Sequence, residues 1–300
     1  MNTRTAIITG ATSGLGLECA RALLQDDPSW HLVLPVRDTT RGADAVRELG
    51  DPQRCTLMPM DLASLASVRA FVDDFRAATL PPLHTVVCNA GVQVTHREWT
   101  EDGIEKTFGV NHIGHFALVQ GLLDKLARPA RIVVVSSGTH DPRKHTGMPD
   151  PRYTSAADVA HPHAEQEAGD GRRRYTTSKL CNVLFSYELD RRLGQGEQGV
   201  TVTAFDPGLM PGSGLARDYP PLQRLAWRYL LPALRVLPGV RSTRASGRYL
   251  AALAGDERFD GVTGQYFAGG KSIWSSAESY DLDKARDLWQ TSEQLVMQAI

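Results

Sequence analysis

The stretch that decides the fold is "TGATSGLGLECA", residues 9–20, which follows directly on the apolar run "TAIIT" at 5–9. Glycines there permit a tight turn between a strand and a helix, and they let backbone N–H groups approach a phosphate at the helix N-terminus. The strand–turn–helix context favours a phosphate-binding turn over a purely structural one. The candidate phosphate contacts are Gly10, Thr12, Ser13, Gly14, Leu15 and Gly16.

Apolar runs alternate with helical patterns along the rest of the chain. The predicted strands are 5–9, 31–36, 55–60, 84–89, 131–137, 200–205 and 264–268. The predicted helices are 14–25, 40–49, 64–79, 101–127, 175–193, 220–231, 242–254 and 281–299. Such alternation is typical of βαβ units, and strands without polar alternation are typical of a sheet covered on both faces. We therefore predict an α/β fold of the Rossmann type: one doubly wound parallel sheet of about seven strands, helices on both faces, and a single domain over residues 1–300.

Two segments break this alternation. Residues 138–174 are rich in proline, glycine, histidine and charge, and they separate a predicted strand from the next helix. An insertion of that length in a compact domain is usually functional. Residues 209–240 carry many apolar and aromatic side chains, and we predict that they form a lid over a bulky hydrophobic substrate. The alternative is that these apolar residues are the core face of a helix.

The composition excludes several classes of partner. Lys plus Arg is 33 and Asp plus Glu is 34, and the resulting formal charge of −1 provides no field to attract nucleic acid. The four cysteines lack a CxxC spacing, as is typical of reduced thiols in a cytoplasmic protein. Four histidines in the insertion lack a partner cysteine or an HExxH pattern, so we predict no metal site.

We expect no membrane-spanning segment. The first residues show no signal-peptide pattern, and no apolar run approaches the ~20 residues that span a bilayer. The stretch best suited to touch a membrane, 225–240, is interrupted by Arg228, Pro232 and Arg235, so at most it lies on a surface. These patterns favour a cytoplasmic protein and leave peripheral membrane contact open.

A tyrosine and a lysine four residues apart open a predicted helix in "RRRYTTSKLCN", residues 172–182. The spacing places Tyr175 and Lys179 on one helix face. A nearby ammonium favours the phenolate and so lowers the pKa of a phenol from its ordinary value of ~10. The pair predicts a proton donor or acceptor tuned by a cation, although an ordinary amphipathic helix explains the pair alone equally well.

Seven segments, in order along the chain, resemble motifs of the short-chain dehydrogenase/reductase family. They are "TGATSGLG" (9–16), "MDLAS" (60–64), "CNAG" (88–91), "VNHIGHF" (110–116), "VVVSSGTH" (133–140), "YTTSK" (175–179) and "DPG" (206–208). The resemblance implies a catalytic set of Asn111, Ser137, Tyr175 and Lys179, in which Ser137 is the second serine of its segment. It also implies cofactor contacts at Asp61, Leu62, Asn89, Ala90, Gly91, Tyr175, Lys179, Pro207 and Gly208.

The end of the second predicted strand, "LVLPVRD", bears on the choice of cofactor. NAD-selective sites usually offer an acidic side chain at this strand end, where Val36 stands here. Arg37 follows and can bind the 2′-phosphate of NADP by charge-assisted hydrogen bonds. We therefore predict NADP(H), with NAD(H) as the alternative because Asp38 is adjacent.

The predicted set has a joint chemistry. When a hydride moves between nicotinamide and a carbonyl carbon, charge builds on the oxygen, and Tyr175 can supply the proton there. Ser137 is predicted at the carboxyl end of the fifth strand, where its hydroxyl can orient the substrate oxygen. The resemblance further implies that Asn111 holds a water linking Lys179 to solvent, and that Lys179 also reaches the cofactor ribose.

Within the family, the sequence is similar to light-dependent protochlorophyllide reductases and to retinol-dehydrogenase-like members. Segments 61–76, 175–182 and 279–296 carry the resemblance to the photoreductases. Those enzymes have a functional cysteine directly after the Pro-Gly segment, where Leu209 stands here. We therefore expect a thermal reductase or dehydrogenase.

The leading interpretation is an NADP(H)-dependent oxidoreductase acting on a carbonyl or alcohol of a hydrophobic molecule. One alternative is reduction of a conjugated C=C bond, which the photoreductase-like segments favour and Leu209 opposes. A second alternative is a non-catalytic NADP(H)-binding sensor, which the intact catalytic set opposes. Homo-oligomerisation through the helices at 101–127 and 175–193 is expected from the resemblance, unless the insertion covers that face and leaves a monomer.

Overall fold

The computed structural model describes residues 3–162, 171–210 and 241–299. Within these residues, eight strands form one sheet in the order β3-β2-β1-β4-β5-β6-β7-β8. They are β1 (Arg4–Ile8), β2 (Trp30–Val36), β3 (Cys55–Pro59), β4 (Leu83–Cys88), β5 (Leu126–Val135), β6 (Val200–Asp206), β7 (Gln265–Ala268) and β8 (Lys271–Ile273). Strands β1 to β7 are parallel, and β8 pairs antiparallel to β7. The predicted α/β fold with a doubly wound parallel sheet is confirmed.

The prediction of about seven strands missed β8. Ala268 pairs with Lys271, so Gly269 and Gly270 form a two-residue hairpin loop between β7 and β8. All three residues of β8 are exposed. Because an edge strand without a buried face leaves no apolar pattern in the sequence, only the paired glycines signal this hairpin.

Helices cover both faces of the sheet. They are α1 (Gly14–Asp26), α2 (Thr39–Leu49), α3 (Leu65–Ala77), α4 (Lys106–Phe108), α5 (Gly114–Leu122), α6 (Ala156–Ala160), α7 (Gly171–Arg192), α8 (Thr243–Gly255) and α9 (Leu282–Gln298). On one face α1 packs against α8, with Leu23 and Leu250 in the shared core. On the other face α3, α5, α7 and α9 surround Phe71, Phe116 and Phe185. Burial on both faces explains why the strands read as unbroken apolar runs.

The predicted helix 101–127 is shorter in the structure and is divided by a π-helical turn. Glu105 caps α4 by accepting a hydrogen bond from the Phe108 N–H at 2.8 Å. Residues Gly109–Ile113 form the π-helical turn, which contains Asn111, and α5 continues from Gly114. Such turns interrupt the regular hydrogen-bond ladder and are frequent at functional sites.

The insertion is partly described. It contains 3₁₀ turns at Gly138–His140 and Pro142–Lys144 and the short helix α6. Residues 171–174, which the predicted insertion includes, belong to α7. Most of the predicted lid at 209–240, including the predicted helix 220–231, lies outside the described residues, where only Leu209 and Met210 of that segment are included.

Helix α7 is enclosed within the chain. Residues 175–190 are all buried, and the helix packs against β6, α4 and the C-terminal helix α9. Within the described residues, these side chains of α7 are thus covered by the chain's own elements. None of the described helices combines the length and the apolarity needed to cross a membrane.

Candidate active site

The predicted phosphate-binding turn joins β1 to α1 at the carboxyl edge of the sheet. Gly10 and Gly14 have φ values of +68° and +61°, a left-handed conformation that favours glycine. Gly16 is required for a different reason, because a Cβ there would lie 2.6 Å from the Gly10 carbonyl oxygen and 2.5 Å from Nδ2 of Asn89. Among the described residues, the Ser13 side chain makes no capping hydrogen bond to α1. The N-terminus of α1 is therefore open to an anion.

Thr9 ties this turn to the segment after β4. Its hydroxyl accepts hydrogen bonds from the backbone N–H groups of Asn89 and Ala90, both at 2.9 Å. The same hydroxyl lies 2.8 Å from Nε2 of His115, whose Nδ1 lies 3.1 Å from the carbonyl oxygen of Asn111. Because Nδ1 must donate to that carbonyl, Nε2 accepts from Thr9. One network therefore joins the glycine turn to the π-helical turn.

The side chain of Asn111 is buried and holds two further segments together. Its Oδ1 accepts from the Val92 N–H at 2.7 Å, and its Nδ2 donates to the Val92 carbonyl and to Oγ of Ser178, both at 3.0 Å. A Cβ at Gly91 would lie 3.3 Å from Oδ1 of Asn111 and 3.5 Å from Nζ of Lys179. Asn111 therefore lies beside Lys179, while its role in holding a water stays a prediction.

Tyr175 and Lys179 are 5% and 4% exposed. Nζ of Lys179 donates to the Val135 carbonyl at 3.2 Å and lies 5.5 Å from the centre of the Tyr175 ring. Burial lowers the pKa of Lys179 to about 8, and the Asp206 carboxylate opposes that decrease. The ammonium and the phenol thus lie together at the end of β5, in the arrangement that the i, i+4 spacing predicts.

Two serines follow β5, and their environments differ. Ser136 is buried, and its hydroxyl donates to the Lys179 carbonyl at 2.7 Å. Ser137 is partly exposed, and its Oγ accepts from the Thr139 N–H at 3.3 Å. Within the described residues, Ser137 Oγ acts as an acceptor only, so its proton can donate to a ligand, whereas the Ser136 proton is donated to the Lys179 carbonyl.

The sequence is similar over its whole length to known oxidoreductases. A model of the family described as short chain dehydrogenase matches residues 4–148. Protochlorophyllide reductase of Avena sativa is 36% identical over 317 residues, which cover 97% of this chain and 98% of that protein. WW domain-containing oxidoreductase of Homo sapiens is 34% identical over 302 residues, which cover 99% of this chain and 69% of that protein. The chain belongs to the short-chain dehydrogenase/reductase family of oxidoreductases.

Solved structures share the fold. An uncharacterised protein from Mycobacterium paratuberculosis superposes with a TM-score of 0.73 at 28% identity, covering 99% of this chain and 94% of that one. A blue fluorescent protein from a metagenomic library, solved in complex with NADPH, has a TM-score of 0.63 at 24% identity and covers 90% and 98% of the two chains. The second likeness concerns the fold alone.

In this short-chain dehydrogenase/reductase, β2 is followed by a cation and by a carboxylate that caps the next helix. Arg37 is exposed directly after β2. The Asp38 carboxylate caps α2 by accepting hydrogen bonds from the N–H groups of Thr40 and Arg41, at 2.9 and 3.1 Å. One oxygen of Asp38 is therefore used in the helix cap, while Arg37 is exposed to solvent.

The remaining predicted cofactor contacts follow β3 and β6. Asp61 and the buried Leu62 follow β3 after one intervening residue, Met60. Pro207 and Gly208 follow β6, where the Pro207 carbonyl accepts from the Ser246 hydroxyl at 2.7 Å and Gly208 has a φ of +78°. In the strand order, β2, β1, β4 and β5 lie between β3 and β6. The residues after β3 and those after β6 are therefore far apart along the edge of the sheet. One extended ligand can contact both groups only at its opposite ends.

Sequence reasoning did not single out Thr9, His115 or Asp206 as functional. Thr9 and His115 are 106 residues apart, so no local pattern connects them. Thr9 and Asp206 lie within segments that carry the family resemblance. A polar residue at the end of an apolar strand is the sequence feature that could have indicated each of them.

His112 lies in the apolar core rather than in the site. Its ring centre is 5.1 Å from that of Phe108 and 5.5 Å from that of Phe185. Nε2 lies 2.9 Å from Oγ of Ser292. Burial lowers the pKa of His112 to about 3 and that of His115 to about 4, so both rings are neutral at pH 7.

We expect His112→Phe to make the protein less sensitive to acid. The pKa of His112 falls from 6.5 to about 3 on folding, so the unfolded chain binds an extra proton between these values and stability decreases as the pH falls. Phenylalanine suits the aromatic surroundings and does not titrate. Urea titrations from pH 7 to 4 measure the free energy of unfolding of both proteins. Below pH ~6, this free energy should decrease with falling pH in both, and the slope for the wild type should be larger by about 1.4 kcal/mol per pH unit. The exposed His161, changed to Phe, is the control, and equal slopes for wild type and His112→Phe would contradict the assignment.

Proposed function

We propose that the protein transfers a hydride between NADP(H) and a carbonyl or alcohol group of a bulky hydrophobic molecule. The observation that carries the proposal is the buried Lys179 ammonium beside the Tyr175 phenol at the carboxyl edge of β5. A charge is costly to bury, and a lysine whose pKa is lowered by burial at a strand end marks a candidate catalytic group. The hydrophobic class of the substrate rests on the sequence of 209–240, most of which lies outside the described residues.

The residues present fit a dinucleotide. Gly10 and Gly16 let the turn pack closely against the segment after β4, whereas a Cβ at Gly14 would meet nothing within 4 Å, so the turn faces open space at the N-terminus of α1. The turn at 10–16 would hold the pyrophosphate, and Lys179 the nicotinamide ribose. When bound, NADP(H) supplies or accepts the hydride. Arg37 supports NADP(H) over NAD(H), because its exposed guanidinium directly follows β2 and can form charge-assisted hydrogen bonds to a 2′-phosphate.

We expect Arg37→Ala to weaken NADPH binding about 10- to 100-fold and to leave NADH binding unchanged, because one charge-assisted hydrogen bond to the 2′-phosphate is lost. Nucleotide fluorescence titration measures both dissociation constants. Arg47→Ala is the matched control, because Arg47 is exposed on α2 but pairs with Asp44. Equal weakening of NADPH and NADH, or of neither, would show that Arg37 does not read the 2′-phosphate.

The side chains then divide the acid–base work. Tyr175 donates a proton to the carbonyl oxygen as negative charge develops there, and takes it back in the oxidative direction. The ammonium of Lys179 stabilises the phenolate that remains. Ser137 donates a hydrogen bond to the same oxygen and fixes its position. Asn111 keeps Ser178 and the backbone at Val92 in place beside Lys179.

We expect Tyr175→Phe to lower kcat about 10²- to 10⁴-fold on a panel of hydrophobic aldehydes and ketones, because the proton donor is removed. NADPH should still bind, because the glycine turn and Lys179 are unchanged. Tyr187→Phe is the matched control: Tyr187 is buried on the same helix, but its hydroxyl bonds to Ser275 at 2.8 Å. Undiminished turnover in Tyr175→Phe would exclude Tyr175 as the acid. NADPH binding without carbonyl turnover by the wild type would instead favour C=C reduction or the sensor interpretation.

Reduction of a conjugated C=C bond is the second candidate, because a protein named protochlorophyllide reductase is 36% identical to this chain. Leu209, 45% exposed after the Pro-Gly segment, stands where the photoreductases are expected to carry a cysteine. Adding conjugated enones to the panel distinguishes the two reactions, since a saturated ketone and an unsaturated alcohol are different products.

A further inference from the structure

A buried carboxylate lies at the end of β6, beside the proposed catalytic residues. Asp206 is 6% exposed, and its Oδ1 accepts a hydrogen bond from the Gly208 N–H at 2.9 Å. Its Oδ2 accepts from Nζ of Lys144 at 3.2 Å, so the insertion supplies a cation to this strand end. Gly138 makes room for the pair, because a Cβ there would lie 2.9 Å from Oδ2 of Asp206 and 3.4 Å from Nζ of Lys144.

The same carboxylate is coupled to Lys179 through adjacent strands. Asp206 follows Phe205, which pairs with Val135, the residue whose carbonyl accepts the Lys179 ammonium. Among the charged groups of the described chain, Asp206 is the one that raises the pKa of Lys179 against the effect of burial. Asp206 therefore lies near two cations: it contacts Lys144 directly and acts on Lys179 from the end of the adjacent strand.

We propose that Asp206 and Lys144 are positioning residues that control the charge of Lys179. The Asp206 carboxylate stabilises the buried ammonium of Lys179, and the ammonium of Lys144 weakens that stabilisation by partly neutralising the carboxylate. The inference deepens the proposed function and rests on it, since Lys179 is there the partner of Tyr175. It also gives the insertion a role, because Lys144 belongs to residues 138–174 and reaches the catalytic edge of the sheet.

Among the other titratable groups around these three charges, Asp141 is charged and pairs with Arg143, and the rest are uncharged near neutral pH. Burial lowers the pKa of His140, which faces Asp206, and lowers that of His115, which faces Lys179, to about 4. Burial and the Asp206 charge raise the pKa of Tyr266 well above its ordinary value. The Lys179 ammonium lies over the ring of Tyr175, whose phenolate it would stabilise. The local field near pH 7 is therefore governed by Lys144, Asp206 and Lys179.

Two substitutions should move the pKa of Lys179 in opposite directions. Asp206→Asn removes the anion that stabilises the ammonium, so the pKa of Lys179 should fall. Lys144→Met leaves the carboxylate to Lys179 alone, so the pKa of Lys179 should rise. Asparagine keeps an oxygen that can accept from the Gly208 N–H, so the turn after β6 is preserved in the first variant.

The experiment is a pH titration of ¹³Cε-labelled lysine by NMR, on the purified full chain without substrate. The sequence has six lysines, so six signals are expected, and Lys179→Arg identifies the one of interest. We expect shifts of at least about half a pH unit, downward in Asp206→Asn and upward in Lys144→Met. Asp141→Asn is the matched control, because Asp141 is a buried carboxylate of the same insertion that binds Arg143 instead. It should leave the Lys179 signal unmoved.

The proposal would be overturned if the pKa of Lys179 were unchanged in both variants, or if it shifted in the same direction in both. Asp206 would then have only a structural role, as the hydrogen-bond acceptor for the Gly208 N–H. Because this measurement needs neither cofactor nor turnover, failure of the proposed function would be seen separately, as absence of NADPH binding or of carbonyl reduction. In the active enzyme, we expect turnover to fall as the pH rises through the pKa of Lys179, because the neutral amine no longer stabilises the phenolate. The alkaline limb of kcat should therefore move to lower pH in Asp206→Asn and to higher pH in Lys144→Met.

Discussion

The burial of one ammonium group is the constraint on which the candidate site depends. Lys179 is almost fully enclosed, and a buried cation is tolerated only when polar partners replace water. Its partners come from three elements: the Val135 carbonyl at the end of β5, the Tyr175 ring on α7 and the Asp206 carboxylate at the end of β6. These groups meet because parallel strands present their carboxyl ends at one edge of the sheet, which is where ligands bind in open α/β folds.

A second set of hydrogen bonds continues from this point to the glycine turn. Ser178, next to Lys179, accepts from Asn111, and the Asn111 carbonyl accepts from His115, which in turn accepts from Thr9. Thr9 then holds the segment after β4 against the turn. All of these groups are buried and hydrogen-bonded, as low-dielectric networks require. The turn that would hold the pyrophosphate and the helix that carries Lys179 are therefore joined by one continuous polar network.

The sequence predicted the elements well where burial is two-sided, because such strands are unbroken apolar runs. It missed β8, whose three residues are exposed, and it joined α4, the π-helical turn and α5 into one helix that was too long. Motif resemblance indicated the catalytic set, but not the surroundings that tune it. Lys144 and Asp206 are 62 residues apart, and their contact depends on β6 lying beside β5, which local periodicity does not encode.

The crystal structure of the complex with NADP(H) would test the central claim most directly, namely that the carboxyl edge of this sheet is a dinucleotide site completed by Tyr175 and Lys179. We predict the pyrophosphate at the N-terminus of α1, the 2′-phosphate within hydrogen-bond distance of Arg37, and the nicotinamide beside Tyr175 and Ser137. A nucleotide bound elsewhere, or a nicotinamide directed away from Tyr175, would contradict the account.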